Sequence, residues 1–285
     1  MGKDLVVVNV LVIGDVIDDI IVVPSEPIRA NTDTDSSISQ TLGGSASNIA
    51  CWAASLGADV TFFGCVNSKD EKRVIDQFAQ YNVQAALQLS DKPTGSLVVL
   101  VDGENRSMLT DRGANRELDI AKLVWPFFNT VDYVFISGYT FFGREILEIK
   151  DLIYEAQQGG AMVLIDPGSA GYIKDFGVEV FKEAIYSADV LIPNSEEFEL
   201  LGTSLSPITI VKKGSAGVDV YAEGILMKSY EAEKVEAIDP TGAGDAFSGA
   251  LVASLANGKN LKEAVEIAIA TAAKAVTTIG ARPQL

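Results

Sequence analysis

The sequence predicts an α/β protein with a doubly wound, mostly parallel sheet flanked by helices and a small β-sheet lid beside it. Short apolar runs, typical of strands buried on both faces, alternate with helical patterns over most of the chain. Polar, strand-like segments at about 16–41 and 94–112 interrupt this alternation. No fixed-period repeat or long linker divides the 285 residues, so a single domain spanning 1–285 is expected.

The first half of the chain contains two buried strands and two helices. Leu5–Ile13 is a continuous apolar run that ends at Gly14, as expected for a strand buried on both faces. Ala46–Leu56 has the small residues of a closely packed helix, and Val60–Val66 is the next strand. A second helix is predicted at Val74–Tyr81, whose apolar residues share one face.

The two polar segments are expected to form a lid that closes over a ligand. Pro24 and Pro27 interrupt the first segment, and its Ser- and Thr-rich remainder suits an exposed strand better than a core strand. The second segment contains two strand patterns separated by Asp102-Gly103, a pair that favours a hairpin turn. Exposed strand edges in a lid can pair two subunits, so a homodimer through the lid is a further expectation.

The second half of the chain repeats the alternation of strands and helices. Strands are predicted at Tyr133–Ser137, Met162–Ile165, Val190–Ile192 and Thr209–Val211, and helices near Arg144–Gln158, Phe181–Tyr186, Asp245–Leu255 and Leu261–Thr277. Asn257-Gly258 separates the last two helices, since glycine commonly ends a helix. This order implies a mostly parallel sheet with helices on both faces.

Composition excludes several classes of function. With 39 Asp and Glu against 22 Lys and Arg, the net charge is −17, so nucleic acids and anionic membranes would repel the protein. The chain has no histidine, which excludes His-based catalysis and His-ligated zinc or iron. Cys51 and Cys65 lie in apolar neighbourhoods and are expected to be buried free thiols. No secretory leader or long apolar run occurs, which favours a cytoplasmic location.

The segment from Asp239 to Phe247, with the sequence Asp-Pro-Thr-Gly-Ala-Gly-Asp-Ala-Phe, carries the most chemical information. Its two glycines allow the backbone to approach a ligand closely, and the helix that follows has unpaired N–H groups at its start. Such a helix start binds anions and stabilises charge that develops during phosphoryl transfer. Asp245, in the first turn, could accept the proton of an attacking hydroxyl. A glycine-rich turn with an acidic cap is the structural alternative.

Two other phosphate-binding motifs do not fit this sequence. A dinucleotide fingerprint needs Gly-x-Gly-x-x-Gly early in the chain, whereas this pair lies near the C-terminus and Gly249 does not fall at the required spacing. The phosphate loop Gly-x4-Gly-Lys followed by Ser or Thr does not occur.

The segment resembles the C-terminal signature of the ribokinase-like (PfkB) carbohydrate kinases. Gly43-Gly44-Ser45-Ala46-Ser47-Asn48-Ile49-Ala50 is similar to their N-terminal signature, Gly-Gly-x-x-x-Asn-x-Ala. The two signatures occur in the family's order, and the resemblance covers essentially the whole chain. It implies a ribokinase-like fold with a β lid, ATP and Mg²⁺ as cofactors, and transfer of the γ-phosphoryl group to a hydroxyl, often a hydroxymethyl, of a sugar or sugar derivative.

The resemblance implies a catalytic role for four residues. Asp245 matches the catalytic base, and Gly242, Ala243 and Gly244 match an anion hole whose N–H groups hold the γ-phosphoryl group. Phosphoryl transfer depends mostly on positioning and electrostatics, so a carboxylate base with several aimed donors suffices without histidine.

Five further residues are candidates for substrate contacts, four of them through the resemblance. Gly43, Gly44 and Asn48 match positions that contact the sugar, and Asp19 resembles the N-terminal Asp that binds sugar hydroxyls. Taken alone, the glycine pair could be a tight turn and the aspartate a turn residue. Arg112, just past the lid hairpin, could reach an anionic substrate group or the nucleotide phosphates; an ion pair with the neighbouring aspartate is the alternative.

Nucleotide and metal contacts follow from the same resemblance. Glu197 lies in a segment that resembles the family's Asn-x-x-Glu element, which organises Mg²⁺ and phosphate, partly through water. Taken alone, this glutamate would be part of a solvated helix face. Asp239 lies where some members bind a monovalent cation, which makes K⁺ a further candidate. The expected nucleotide contacts are Asn194, Lys213, Gly214, Gly217 and Thr241, with an ordinary surface position as the alternative for the lysine.

Two departures from the family pattern affect substrate choice. Ile17 replaces an Asn found in many ribokinases, which weakens the case for ribose itself. Ile269 stands where relatives often have Asn near the adenine, so nucleotide contacts are expected to be looser. One alternative is a nucleoside kinase of the same fold, which needs an apolar wall for the base. The other is a non-catalytic ligand sensor, against which the intact Gly-Ala-Gly-Asp argues.

Overall fold

The computed structural model describes residues 9–102, 105–123 and 128–285. Its strands are β1 (Asn9–Ile13), β2 (Ile17–Pro24), β3 (Ser36–Gly43), β4 (Asp59–Asn67), β5 (Val83–Ser90), β6 (Gly95–Asp102), β7 (Asn105–Asp111), β8 (Tyr133–Ser137), β9 (Met162–Asp166), β10 (Val190–Leu191), β11 (Ile208–Lys212), β12 (Val218–Ala222) and β13 (Ile225–Tyr230). Its α-helices are α1 (Ser45–Ser55), α2 (Glu71–Ala79), α3 (Ile146–Gln158), α4 (Ala170–Phe176), α5 (Val178–Ile185), α6 (Ser195–Leu201), α7 (Ala243–Ala256) and α8 (Leu261–Ala275). The start of the first predicted strand and the glycine of the predicted hairpin turn lie outside the described residues.

Nine strands form the main sheet, in the order β13-β12-β11-β10-β9-β8-β1-β4-β5. The strands from β11 to β5 run parallel, and β12 and β13 add an antiparallel edge. Successive residues of β1 enter two different cores, one with Val10 and Val12 and the other with Leu11 and Ile13. Because both faces are covered, the strands consist of unbroken apolar runs. The predicted doubly wound, mostly parallel α/β fold is confirmed.

The helices divide between the two faces of this sheet. The core that contains Val10 also receives side chains from α1, α2, α7 and α8, whereas the opposite core receives α3, α4 and α5. Cys51 and Cys65 are buried free thiols, one in each core, as predicted. Within the described ranges, every helix is too short or too polar to span a bilayer.

The two polar segments form a second sheet, which we call the lid sheet, of strands β3-β2-β6-β7. β2 pairs with β6 in parallel and with β3 antiparallel, and β6 and β7 form an antiparallel pair. At its base, Arg73 of α2 donates two hydrogen bonds of 2.8 Å to the Asp18 carboxylate. This bidentate ion pair connects the lid sheet to the main body. Closure of the lid sheet over a ligand stays a prediction.

Several elements have no clear counterpart in the sequence prediction. β5 and the edge pair β12–β13 are missing from it, as is α4, a helix of seven residues. β13 is almost fully exposed, so its residues show no burial pattern to read. The predicted strand at Val190–Ile192 shortens to β10. Short or exposed elements give weak periodic signals, because tertiary pairing and not local preference determines them.

Candidate active site

The start of α7 forms the floor of the candidate site. Gly242 is its N-cap and has a left-handed backbone with φ = 75°. A Cβ on Gly242 would lie 2.6 Å from Cα and Cβ of Ala281, so glycine is required by both conformation and space. The N–H of Ala243 donates a weak turn hydrogen bond of 3.3 Å to the Pro240 carbonyl. A Cβ on Gly244 would lie 3.6 Å from Nζ of Lys212, which places this lysine beside the helix start.

Asp245 meets the N-terminal signature directly. Ser45 Oγ donates to Asp245 Oδ1 at 2.8 Å, and Asn48 Nδ2 donates to Asp245 Oδ2 at 2.9 Å. Asn48 Oδ1 in turn accepts from Arg282 Nε at 3.2 Å. The fold therefore joins two signatures whose contacting residues, Ser45 and Asp245, lie 200 positions apart, and both oxygens of the proposed base are oriented by α1.

Burial raises the pKa of the Asp245 carboxyl to about 7. The hydrogen bonds from Asn48 and Ser45 lower it, the nearby Asp166 carboxylate raises it, and the Lys212 ammonium lowers it. A carboxyl with a pKa close to neutrality suits a general base, because it is available unprotonated and still accepts a proton readily.

The glycine pair of the N-terminal signature allows close packing of two aspartates. Gly44 is the N-cap of α1 with φ = 98°, and a Cβ on it would lie 2.6 Å from the Asp15 carbonyl oxygen. A Cβ on Gly43 would collide with Asp19 Oδ2 at 2.0 Å. Asp15 itself is buried and accepts hydrogen bonds from the first N–H groups of α1, including that of Ser45 at 3.1 Å.

Asp19 lies on β2 against Gly43, beside the N-terminus of α1. Burial raises the pKa of its carboxyl to about 6; the charges of Asp15 and Asp18 also raise it, and that of Arg282 lowers it. The carboxyl thus lies against Gly43, the first glycine of the N-terminal signature.

Arg112 lies against aromatic rings. Its guanidinium carbon is 4.3 Å from the centroid of Tyr139 and 4.6 Å from that of Phe142. Asp111 instead accepts from the N–H of Gly113 at 2.9 Å, and no ion pair joins Asp111 to Arg112 within the described residues. A stacked guanidinium keeps its in-plane N–H donors available for other partners.

A buried charge cluster lies at the carboxyl ends of β9 and β11. Lys212 Nζ forms an ion pair with Asp166 Oδ2, which also accepts from Ser248 Oγ at 3.0 Å. Burial lowers the pKa of Lys212, but Asp166 and Glu197 outweigh this effect and raise it. The lysine is therefore charged at neutral pH, in the region where the start of α7 lies.

The predicted Asn-x-x-Glu element is a capping box at the start of α6. Glu197 N–H donates to Asn194 Oδ1 at 2.9 Å, while Asn194 N–H and Nδ2 donate to the Glu197 carboxylate at 2.8 and 2.6 Å. Glu197 is only 1% exposed. Burial raises its pKa to about 7, with Asp166 raising it further and Lys212 lowering it.

A cavity of ≈ 340 Å³ opens beside the start of α7. Two predicted nucleotide contacts, Gly214 and Gly217, line it together with Lys212. Lys213 does not line it, since its ammonium pairs with Asp219 at 2.6 Å. The other lining residues are mostly small or apolar: Ser215, Val218, Ala232, Glu233, Val235, Ala237, Pro240, Ala243, Gly244, Phe247, Ile269, Ala272, Ala273 and Val276.

The remaining predicted nucleotide and cation residues lie outside the lining of this cavity. The Asn194 side chain forms the hydrogen bonds of the capping box at the start of α6. Thr241 N–H donates to Asp239 Oδ1 at 3.0 Å, and Gly280 N–H donates to Asp239 Oδ2 at 3.1 Å. Asp239 thus joins the loop before α7 to the segment that follows α8.

No group of three or more Asp, Glu or Cys side chains able to hold a metal occurs in the part of the chain that the structure describes. Mg²⁺ does not require one, because it commonly binds one or two carboxylates, several waters and substrate phosphates. Asp166 and Glu197, both buried next to Lys212, fit such a water-mediated site.

Sequence reasoning missed Asp15, Ser45, Asp166, Lys212 and Arg282. For Asp15 and Asp166 a signal existed. Asp15 lies two residues after β1 and Asp166 is the last residue of β9, so both stand at the carboxyl ends of buried parallel strands, where ligands bind. The sequence could not show which of the adjacent lysines, Lys212 or Lys213, faces the site, because that depends on the strand pairing. Arg282 gave no signal, because only the path of the chain after α8 brings it to α1.

Comparison with known proteins identifies the family. Residues 8–285 match the family model described as pfkB family carbohydrate kinase. An ATP-dependent ribose-1-phosphate kinase of Halopiger xanaduensis is 27% identical over 85% of this chain and 83% of its own. A ribokinase of Bacillus subtilis is 26% identical over 96% of this chain and 94% of its own.

Two solved structures share the fold. A chain of E. coli described as a ribokinase II, solved with ATP and Mg²⁺, has a TM-score of 0.83 at 21% identity and covers 96% of this chain and 94% of its own. The adenosine kinase of Sinorhizobium meliloti also has a TM-score of 0.83, at 20% identity over 98% of this chain and 97% of its own. The chain belongs to the pfkB family of carbohydrate kinases. The predicted family and the predicted ATP-dependent phosphoryl transfer are confirmed.

Proposed function

We propose that this kinase phosphorylates a hydroxymethyl group of a small sugar or sugar derivative, with Asp245 as the base. The observation that supports it most is the pair of hydrogen bonds from Ser45 and Asn48 to the Asp245 carboxylate. They orient the carboxylate between the glycine pair expected to contact the sugar and the helix start expected to bind phosphate.

In this proposal the chain supplies a base, an anion hole and one cation. Asp245 takes the proton of the acceptor hydroxyl as its oxygen attacks the γ-phosphorus of ATP, and the bond to the β-phosphate oxygen breaks. Backbone N–H groups at Gly242–Gly244 stabilise the charge on the transferring group. The Lys212 ammonium, held beside Gly244, adds a fixed positive charge at the same place.

ATP would occupy the cavity beside α7. Gly214 and Gly217 allow the protein backbone to approach the nucleotide. Val235, Ile269 and Val276 supply apolar contacts for the adenine ring. Mg²⁺, when bound, would neutralise phosphate charge, with Asp166 and Glu197 as the residues to hold it through water. K⁺ would bind near Asp239, where the loop before α7 meets the segment after α8.

The acceptor would lie between Asp19, Asn48 and Asp245. Arg112 presents its donors from a stack on Tyr139 and Phe142, which favours an acceptor with an anionic group such as a phosphate or carboxylate. The same rings could instead provide the apolar wall that a nucleoside base needs. Nucleosides are therefore the second candidate class, and a non-catalytic sensor is the third.

An acceptor panel separates these candidates. Pentoses, hexoses, their phosphates and acids, and nucleosides would each be incubated with ATP and Mg²⁺, and ADP release and the phosphorylated product would be measured. Thermal shift with a non-hydrolysable ATP analogue would report binding independently. Product from a sugar-type acceptor supports the proposal; product from nucleosides alone supports the second class. Tight ligand binding without any product would support the sensor.

A homodimer through the lid sheet is part of the same proposal. Strand pairing places Ile20, Val22, Val98 and Leu100 on one face, which continues to Ile38 and Leu109, 65% and 64% exposed. A contiguous apolar sheet face of this kind is commonly covered by a partner. Light scattering that shows a monomer at assay concentration would contradict the dimer.

A further inference from the structure

Arg282 reaches the candidate site from the last residues of the chain. Its segment, 276–285, follows α8 and is fixed to α1 by Trp52 Nε1, which donates to the Ala281 carbonyl at 2.9 Å. The Arg282 guanidinium donates through Nε to Asn48 Oδ1 at 3.2 Å and through Nη2 to Ser47 Oγ. Rings of Phe78 and Tyr81 lie 5.6 and 5.7 Å from its central carbon. Hydrogen bonds and aromatic rings therefore hold the guanidinium in one position.

The contact with Arg282 determines which way the Asn48 amide faces. An amide has one accepting oxygen and one donating NH₂ group, whereas a guanidinium only donates. Oδ1 must therefore face Arg282, which directs Nδ2 to the Asp245 carboxylate, 2.9 Å away. If the amide rotated by half a turn, its oxygen would face a carboxylate oxygen, and Asp245 would lose a hydrogen bond.

We propose that Arg282 is a positioning residue for phosphoryl transfer: it fixes the Asn48 amide so that the amide N–H orients the Asp245 carboxylate. This inference rests on the proposed function, since Asp245 must be the base for turnover to depend on it. It assigns a role in the reaction to a segment outside both family signatures.

Other charged groups lie near Arg282, Asn48 and Asp245. Their effects on Asp245 must be distinguished from the effect of Arg282. Asp245 is also approached by Ser45 from α1, Asp166 from β9 and Lys212 from β11. Burial raises the pKa values of Asp19, Cys51 and Tyr81, and the charge of Arg282 offsets part of that rise. A change at Arg282 therefore affects Asp19 as well, so the titration of Asp245 has to be observed directly.

The first test is Arg282→Gln. We expect kcat to fall by about ten- to a hundred-fold, the loss that follows from removing a hydrogen bond to a charged group. KM for ATP should stay within about two-fold, and the acidic limb of kcat/KM should move to higher pH. Arg282→Lys, which keeps a charged donor, should restore part of the rate. Arg116→Gln is the matched control, because Arg116 is exposed and the charge change is the same.

Two further measurements identify the route of the effect. In an Asn48→Ala background, Arg282→Gln should have little additional effect on kcat if Arg282 acts through Asn48. The Asp245 carboxyl, followed by carbon NMR, should titrate at higher pH in Arg282→Gln than in wild type, whether or not an acceptor has been found. This second readout tests the positioning role even if the proposed function fails.

Three results would overturn the inference. One is an unchanged kcat in Arg282→Gln under conditions where the wild type is active. Another is a loss of rate that is just as large in the Asn48→Ala background. The third is an Asp245 titration that is the same in both proteins, with a lower melting temperature accounting for any loss of activity.

Discussion

Asp245 shows how a single residue acquires its chemistry from the fold. Its carboxyl has a raised pKa because it is buried, and two hydrogen bonds from α1 limit that rise. The same bonds aim both oxygens. Neither effect can be predicted from the local sequence, since the partners are distant along the chain. The environment of the proposed base therefore arises from the meeting of two helix starts.

The first prediction at this scale concerns pH. Asp245 acts as a base only when unprotonated, so kcat/KM should fall as the pH drops below its pKa of about 7. Ser45→Ala removes a hydrogen bond that lowers this pKa, so the acidic limb should move to higher pH. Glu197 has a similar pKa but does not contact Ser45. An unchanged limb in Ser45→Ala would mean that another group controls it.

A second prediction uses two adjacent lysines. Lys212→Gln should lower kcat/KM for ATP more than about ten-fold, because it removes the positive charge beside the helix start. Lys213→Gln should stay within about two-fold, because its ammonium pairs with Asp219 away from the cavity. Steady-state kinetics check both, with melting temperatures to detect unfolding, since Asp166 loses its partner in the first variant. Equal losses would contradict the assignment.

At the scale of elements, α7 depends on one glycine. Gly242→Ala should lower both stability and kcat, because a Cβ would be strained at φ = 75° and would collide with Ala281. Gly258→Ala is a matched control with the same φ of 75° and nothing within 4 Å of the added Cβ. We expect it to lose about 1 kcal/mol of unfolding free energy and no activity. Urea unfolding measures the stability of both variants, and steady-state turnover measures their activity.

Elements with strong patterns were predictable, and weakly patterned ones were not. The buried strands Tyr133–Ser137 and Met162–Asp166 follow from apolar runs, because burial on both faces leaves no choice of residue. The two signatures also gave the glycines and Asp245. The exposed edge strand Ile225–Tyr230 and partners of the site such as Lys212 could not be predicted in this way, because pairing across the sheet determines them.

At the scale of the whole molecule, the lid sheet is the part expected to respond to ligand. Saturating acceptor with a non-hydrolysable ATP analogue should slow hydrogen exchange in 16–41 and in the described part of 94–112, because closure would remove backbone from water. The base of the sheet, where Arg73 binds Asp18, should change least. If exchange in both segments were unaffected by saturating ligand, lid closure would be wrong.

The net negative charge of the whole molecule opposes the binding of an anionic co-substrate such as ATP. Positive side chains concentrated near the candidate site offset this repulsion locally. Net charge is −17, yet Lys212, Arg112 and Arg282 all lie close to residues of the candidate site. Strongly acidic proteins can bind phosphates when cations and helix N–H groups are concentrated in one place. This distribution explains how a strongly acidic protein can still bind ATP.

The most direct test of the account is the turnover of Asp245→Asn on an acceptor that the wild type phosphorylates. The substitution keeps the size of the side chain and removes its ability to take a proton. We expect kcat to fall by about 10²- to 10⁴-fold while ATP binding and the melting temperature change little. Turnover equal to that of wild type would show that Asp245 is not the base.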